Sequence, residues 1–205
     1  MPSEEKLANR PYKETLKLPR GDAKDGLAGL VPTFDWSYIP YGQYLRDPLL
    51  SPHFAASENL PPFVGVVAAE LDLLAHESWR LACRLAREGG LAHGDATAAA
   101  RYEVPDPKSE EIRTRVCGSQ VVRSQPGRLE VVDRAGKQDE RFAFEENWEG
   151  GGVKWLLVPD ALHGFDNKHV RELMGGAEAI EDGEEKTEAM MQELGAWLKW
   201  RVWGL

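Results

Sequence analysis

Cysteine is scarce in this chain: Cys83 and Cys117 are the only two among 205 residues. Two thiols do not make the disulfide framework of a small secreted domain, so a reducing, cytoplasmic compartment is favoured over secretion. The opening residues, Met1-Pro2-Ser3-Glu4-Glu5-Lys6, have no apolar core of the kind a secretory signal needs. Long hydrophobic runs are missing as well. None approaches the roughly 20 apolar residues of a membrane helix, so no membrane span is expected. Positive charge is in deficit. Lys and Arg number 25 against 34 Asp and Glu, giving a net charge of −9 and an isoelectric point of about 5.1. Such a surface repels phosphate backbones, and no general nucleic-acid binding is expected. No internal repeat and no long low-complexity segment appears, which excludes a solenoid.

What is present fits one α/β domain, with 42% hydrophobic and 29% charged residues. Residues 1–60 are broken by Pro11, Pro19, Pro32, Pro40, Pro48 and Pro52, which limits helices to short pieces. The aromatics Phe34, Trp36, Tyr38, Tyr41 and Tyr44 in this connector-like segment form either a cap or the packing of an irregular stretch. Residues 61–90 differ. Phe63-Val64-Gly65-Val66-Val67-Ala68-Ala69 is apolar on both faces and predicts a buried parallel strand. Residues 76–88 predict a helix with Trp79, Ala82, Cys83 and Ala86 as its apolar row, ended by Gly89-Gly90. Cys83 on that row is expected to be packing rather than reactive.

Residues 91–152 read as an insertion. Residues 128–133 and 140–144 flank Ala135-Gly136-Lys137, and their alternating Leu129/Val131 and Phe142/Phe144 predict a β-hairpin. Gly150-Gly151-Gly152 leads into Val153-Lys154-Trp155-Leu156-Leu157-Val158, a second buried strand. Residues 181–186 read as a solvated charge run. From Thr187 the spacing of Met190, Met191, Leu194, Trp197, Leu198 and Val202 predicts a C-terminal helix. Two strand–helix units imply a parallel sheet, and such sheets place their chemistry beyond the carboxyl ends of strands.

Two loops stand at those ends. Glu70-Leu71-Asp72-Leu73-Leu74-Ala75-His76-Glu77 follows the first strand, and Pro159-Asp160-Ala161-Leu162-His163-Gly164-Phe165 follows the second. With the upstream Asp47-Pro48-Leu49-Leu50-Ser51-Pro52 and Leu60-Pro61-Pro62, this pair resembles the hormone-sensitive-lipase-like esterase branch of the α/β-hydrolase superfamily (fold-3). Members of that branch carry a D-P-L-x-D-E loop after the penultimate strand and an H-G-F loop after the last. The resemblance is strongest over residues 45–88 and 153–165. It implies Asp72 as the triad acid and His163 as the general base, in the superfamily's chain order. It also implies a small-molecule ester as substrate and no cofactor. Leu73 stands where the branch has Pro, and His76 where it has a second acid; Glu77 fits. The acid-to-histidine interval is lengthened by residues 91–152. The resemblance implies the last two strands of the hydrolase sheet with their helices, a cap-like segment and the inserted hairpin.

The serine of such a triad sits in G-x-S-x-G. No such motif occurs; Cys117-Gly118-Ser119-Gln120-Val121 lacks the second glycine and lies downstream of Asp72. H-G-G-G is also absent, and Glu149-Gly150-Gly151-Gly152 precedes a strand instead of following one. The expectation is therefore the C-terminal part of a carboxylic-ester hydrolase, truncated or incompletely read, and inactive alone. The alternatives are a non-catalytic binding module that reuses the fold and a serine half supplied in trans; a sheet edge left uncovered would self-associate, so a stable monomer marks a module and an aggregating product a fragment. His53, His76, His93 and His169 are read as solvent or packing residues, with His53 also a neighbour of an acyl pocket. Asp160, Asp166 and His163 make too thin a donor set for a metal, and none is expected.

Overall fold

The computed structural model describes residues 42–44, 46–70, 72, 74–102, 142–159, 161–174 and 176–205, together with Thr33 and Ser37. Its core is a small open sheet of three strands: β1 (Phe63–Ala69), β2 (Ala143–Trp148) and β3 (Gly151–Val158), in the order β1-β3-β2. β1 and β3 run parallel in register from Phe63↔Gly152 to Ala69↔Val158. β2 runs antiparallel to β3, from Ala143↔Leu156 to Trp148↔Gly151. Between β1 and β2 come helix α1 (Ala75–Ala92) and the single turn α2 (Ala98–Arg101); after β3 come α3 (Lys168–Met174) and α4 (Ala177–Trp197). α4 continues into a wider turn over Leu198–Val202.

Alternation along β3 divides the core into two faces. Val153 and Trp155, with Ala68 of β1, meet Ala82 and Leu85 of α1, and Trp79 packs at the margin. Leu156 and Val158, with Ala69, meet Met190 and Leu194 of α4. Covered on both faces and both edges, β3 is buried over almost its whole length, which is why its sequence is continuously apolar. Each large side chain buried this way contributes about 1.5–3 kcal/mol. Its exception is Lys154, only 8% exposed, whose ammonium lies 2.7 Å from Glu193 Oε1 of α4 and 3.7 Å from Glu145 Oε2 of β2.

Both predicted strands form, β1 within its expected limits and β3 two residues earlier. Two expectations need correction. First, α1 does not stop at Gly89-Gly90 but runs to Ala92. These glycines serve close approach: a Cβ on Gly89 would lie 2.3 Å from the Trp148 ring, and one on Gly90 would lie 2.7 Å from Ala98 Cβ. Second, the run 181–186 is solvated at Glu181, Glu184 and Glu185 as expected, but it does not precede a helix and is not solvated throughout. It lies inside α4, and Lys186 is 3% exposed and paired with Asp182 at 2.7 Å. The C-terminal apolar residues divide between the core and the surface. Met190 and Trp197 are buried, whereas Met191 is 60% exposed and Trp200 and Trp203 are each 64% exposed.

Of the predicted hairpin, residues 128–133 and the 135–137 turn lie outside the described residues. Phe144, from its other arm, is in β2 and pairs across from Trp155 of β3. β2 and β3 are joined by a turn at Glu149-Gly150, with Gly150 at φ +75°, a conformation natural to glycine. Of the cap-like aromatics only Tyr44 is described, and it is 68% exposed. Among the described residues no helix is long and apolar enough to cross a membrane.

Cys83 is buried between α1, α2 and β2 with Ala86, Ala98 and Tyr102. Burial pushes its thiol up to about 12, and only a thiolate is a good nucleophile. Iodoacetamide at pH 8 is expected to label Cys83 only after the chain is unfolded, as read by peptide mass mapping; rapid labelling of the native protein would contradict this packing.

Gly89 and Gly195 offer a paired stability test. Alanine is favoured over glycine inside a helix by about 1 kcal/mol. Gly195 is exposed with nothing near its Cβ position, so Gly195→Ala should raise the unfolding free energy by about 1 kcal/mol, read as a higher urea midpoint. At Gly89 the clash with Trp148 opposes the gain, because overpacking costs roughly 1–3 kcal/mol. Gly89→Ala should therefore lower the midpoint.

Candidate active site

The β1–β3 register sets the site. Ala69 and Val158 are paired at the carboxyl ends of the two strands, and the Glu70 N–H donates to the Val158 carbonyl at 2.9 Å. Beyond that point the chains part into two loops on the same end of the sheet. Asp72 lies in the turn into α1: its N–H donates to the Ala69 carbonyl at 3.0 Å and its own carbonyl accepts from Ala75 N–H at 3.2 Å. Carboxylate Oδ1 accepts the Leu74 N–H at 2.8 Å, which fixes the carboxylate plane and leaves Oδ2 for another partner.

That partner is His163. Its Nδ1 lies 2.8 Å from Asp72 Oδ2, across 91 residues of sequence. His163 is the second residue of a turn closed by Phe165 N–H to the Leu162 carbonyl at 3.0 Å. Gly164, the third, has φ +75°, as glycine does in a type II turn. The Asp72 side chain is 12% exposed and the His163 ring 39% exposed. A mostly buried carboxylate thus faces a ring that reaches solvent. With Nδ1–H donating to Oδ2, a neutral ring keeps its lone pair on Nε2, the nitrogen then open to take a proton. Among the described residues no hydroxyl or thiol is hydrogen-bonded to His163.

Sequence reasoning thus named two residues that the fold brings together. It passed over a third near them. Arg171 of α3 donates from Nη1 to the Phe165 carbonyl at 2.9 Å, one residue past the His163 turn's glycine. No pattern flags it, because its other neighbours, Glu184 and Thr187, belong to the next helix. Glu77 is in the first turn of α1; Asp160 and the His76 side chain lie outside the described residues, as does Cys117.

His53 does not border this site. It lines a groove of about 850 Å³ with Leu60, Pro62, Val64, Arg84, His93, Trp148 and Val153. Those residues mark the opposite end of the sheet, roughly 16 Å from Ala69 at about 3.3 Å per strand residue. Burial, and then the nearby Arg84 guanidinium, lower the pKa of His53. The segment around Ala55 and Ser57 is anchored at this end. Arg84 Nη2 donates to the Ala55 carbonyl at 2.9 Å, and the Ser57 hydroxyl donates to Glu88. His93 stacks on Trp148 with ring centroids 5.9 Å apart, a packing role, while His169 lies on the exposed surface of α3. Among the described residues no group of three His, Cys, Asp or Glu side chains converges as a metal site.

Comparison with protein-family models, with curated proteins and with solved structures finds no match for this chain.

The dyad makes a direct spectroscopic prediction. Long-range 1H–15N spectra should show His163 with its proton on Nδ1. In Asp72→Asn the new amide N–H faces Nδ1 and the ring should switch to the Nε2–H tautomer, the change that disables such a pair. A ring already in the Nε2–H form in the unsubstituted protein would refute the contact.

Proposed function

We propose that Asp72 and His163 are the acid and general base of a carboxylic-ester hydrolase site of the α/β-hydrolase kind. The observation that carries this reading is the 2.8 Å contact between Nδ1 and Oδ2 at the carboxyl ends of adjacent parallel strands. This is the location where open α/β sheets collect their catalytic loops. The motif resemblance agrees with it in chain order: acid first, histidine second.

In this reading His163 Nε2 takes the proton of a serine hydroxyl as that oxygen attacks an ester carbonyl. It then returns the proton to the leaving alcohol, and a water repeats the cycle to release the acid. Asp72 holds the ring in the tautomer that makes Nε2 basic and stabilises the imidazolium that forms. The serine and the oxyanion donors are not offered by any G-x-S-x-G or H-G-G-G in these 205 residues. This chain alone then holds two of the three triad roles. In a comparable triad, loss of the serine lowers turnover roughly 2 × 10⁶-fold.

One observation favours a second reading, a binding module on the same fold. The large groove lies at the end of the sheet away from the dyad, and neither Asp72 nor His163 lines it. The coding DNA upstream of Met1 separates the two readings. A continuous open frame encoding H-G-G-G and G-x-S-x-G supports the hydrolase, and an in-frame stop immediately upstream, with a folded monomeric product, supports the module.

The 205-residue chain is expected to hydrolyse short-chain p-nitrophenyl esters no faster than free imidazole at equal concentration. It should also take up no fluorophosphonate probe. Stoichiometric labelling of one serine would overturn the account of a site without its nucleophile.

A further inference from the structure

We infer that Arg171 is a positioning residue for the Asp72–His163 pair: it holds the turn that carries His163 by gripping the carbonyl of Phe165. The inference rests on reading that pair as a general-base unit.

The turn at residues 162–165 fixes the local backbone of His163 but not its place relative to Asp72. It leaves β3 through Pro159 and Ala161 and enters α3 through Asn167, whose N–H donates to the Gly164 carbonyl at 2.8 Å. Such a turn can tilt as a unit about both exits. Phe165 prevents this with three anchors. Its N–H closes the turn on Leu162, its ring joins the core beside Leu156, Val158 and Ala161, and its carbonyl accepts from Arg171 at 2.9 Å. A hydrogen bond tolerates only a few tenths of an ångström. A tilt of about 1 Å would therefore break the 2.8 Å dyad contact.

Arg171 is itself too deeply buried for a chance surface contact. Its side chain is 10% exposed, and Nη2 lies 3.4 Å from Glu184 Oε1. Nη1 also lies 3.5 Å from Thr187 Oγ1, and that hydroxyl donates to the Gly183 carbonyl at 2.6 Å. The stem crosses α4 where a glycine stands. A Cβ on Gly183 would come 2.6 Å from Arg171 Cδ and 3.4 Å from the Phe165 oxygen. α4 thus presents bare backbone at the one place where the arginine and the His163 loop converge. A guanidinium has donors in a fixed fork, so it can serve a carbonyl and a carboxylate at once.

A merely structural role, fastening α3 to α4, would change stability alone. Positioning requires that the His163 ring respond. The test is long-range 1H–15N spectroscopy of His163, with near-UV circular dichroism as the folding control, on the unsubstituted chain, Arg171→Met, Arg171→Lys and Gly183→Ala. Arg171→Met should stay folded yet lose the single Nδ1–H form, giving averaged ring-nitrogen shifts and an Nδ1 proton lost to solvent exchange. Arg171→Lys, with one ammonium able to reach the carbonyl, should restore the single form. A folded Arg171→Met with the unsubstituted signature overturns the inference. If that variant does not fold, Gly183→Ala decides, since its methyl displaces the arginine stem: an unchanged signature overturns the inference and an averaged one supports it. Absence of the Nδ1–H form in the unsubstituted chain would instead remove the general-base reading itself.

Discussion

Everything in this fold hangs on one parallel pairing. Paired residues of β1 and β3 are 89 positions apart along the chain throughout, from Phe63↔Gly152 onward, so the pairing closes a long loop before it gains any contact. It is held by burial on both faces. A slip of one residue would send Val153 and Trp155 to the α4 side and Lys154 to the α1 side, where the core cluster is apolar. The same slip would move one loop past the other by about 3.3 Å, more than the length of the Asp72–His163 hydrogen bond. Register, core and dyad are therefore one constraint seen at three places.

The two faces of the sheet solve burial differently. The α1 side is apolar, closed by Trp79, Ala82, Leu85 and Trp155. The α4 side takes cations under its cover: Lys154, Lys186 and Arg171 are each at most 10% exposed at the side chain. A buried ammonium or guanidinium without a partner costs several kcal/mol. Each here meets a carboxylate on α4: Glu193, Asp182 and Glu184 respectively. The acidic stretch of α4 is thus a set of counterions for charges beneath and beside it. Within the run 181–186 Glu184 meets a charge from another element, Arg171, and that partner gives no signal in the local sequence.

What could be read from sequence was what depends on local pattern or on short motifs. Phe63–Ala69 showed itself by an apolar run between breakers, and the apolar row of α1 by its spacing. Asp72 and His163 were singled out by the motif resemblance, each in a loop that follows such a strand. What could not be read depends on contacts between distant segments. Gly89 and Gly90 look like a helix stop, yet Trp148 and Ala98 fill the space their missing side chains leave. Pairing of β2 with β3 was obscured by an equally plausible turn at residues 135–137. Arg171 carries no signal at all, since its role is set by a carbonyl six residues back and a glycine twelve residues on.

The position of the groove bears on what a single ligand can do here. It opens at the amino ends of β1 and β3, where Pro62, Val64 and Val153 line it, while the dyad lies beyond Ala69 and Val158. The intervening strands are packed against α1 on one face and α4 on the other, with no continuous path between the two ends among the groove's lining residues. A small ligand held by Arg84, His93 and Trp148 cannot also present a carbonyl to His163. Occupancy of the groove and the state of the Asp72–His163 pair are consequently separable. Substitutions in the groove should leave the histidine tautomer unchanged, because the rigid element between them is the register-locked sheet rather than a hinge.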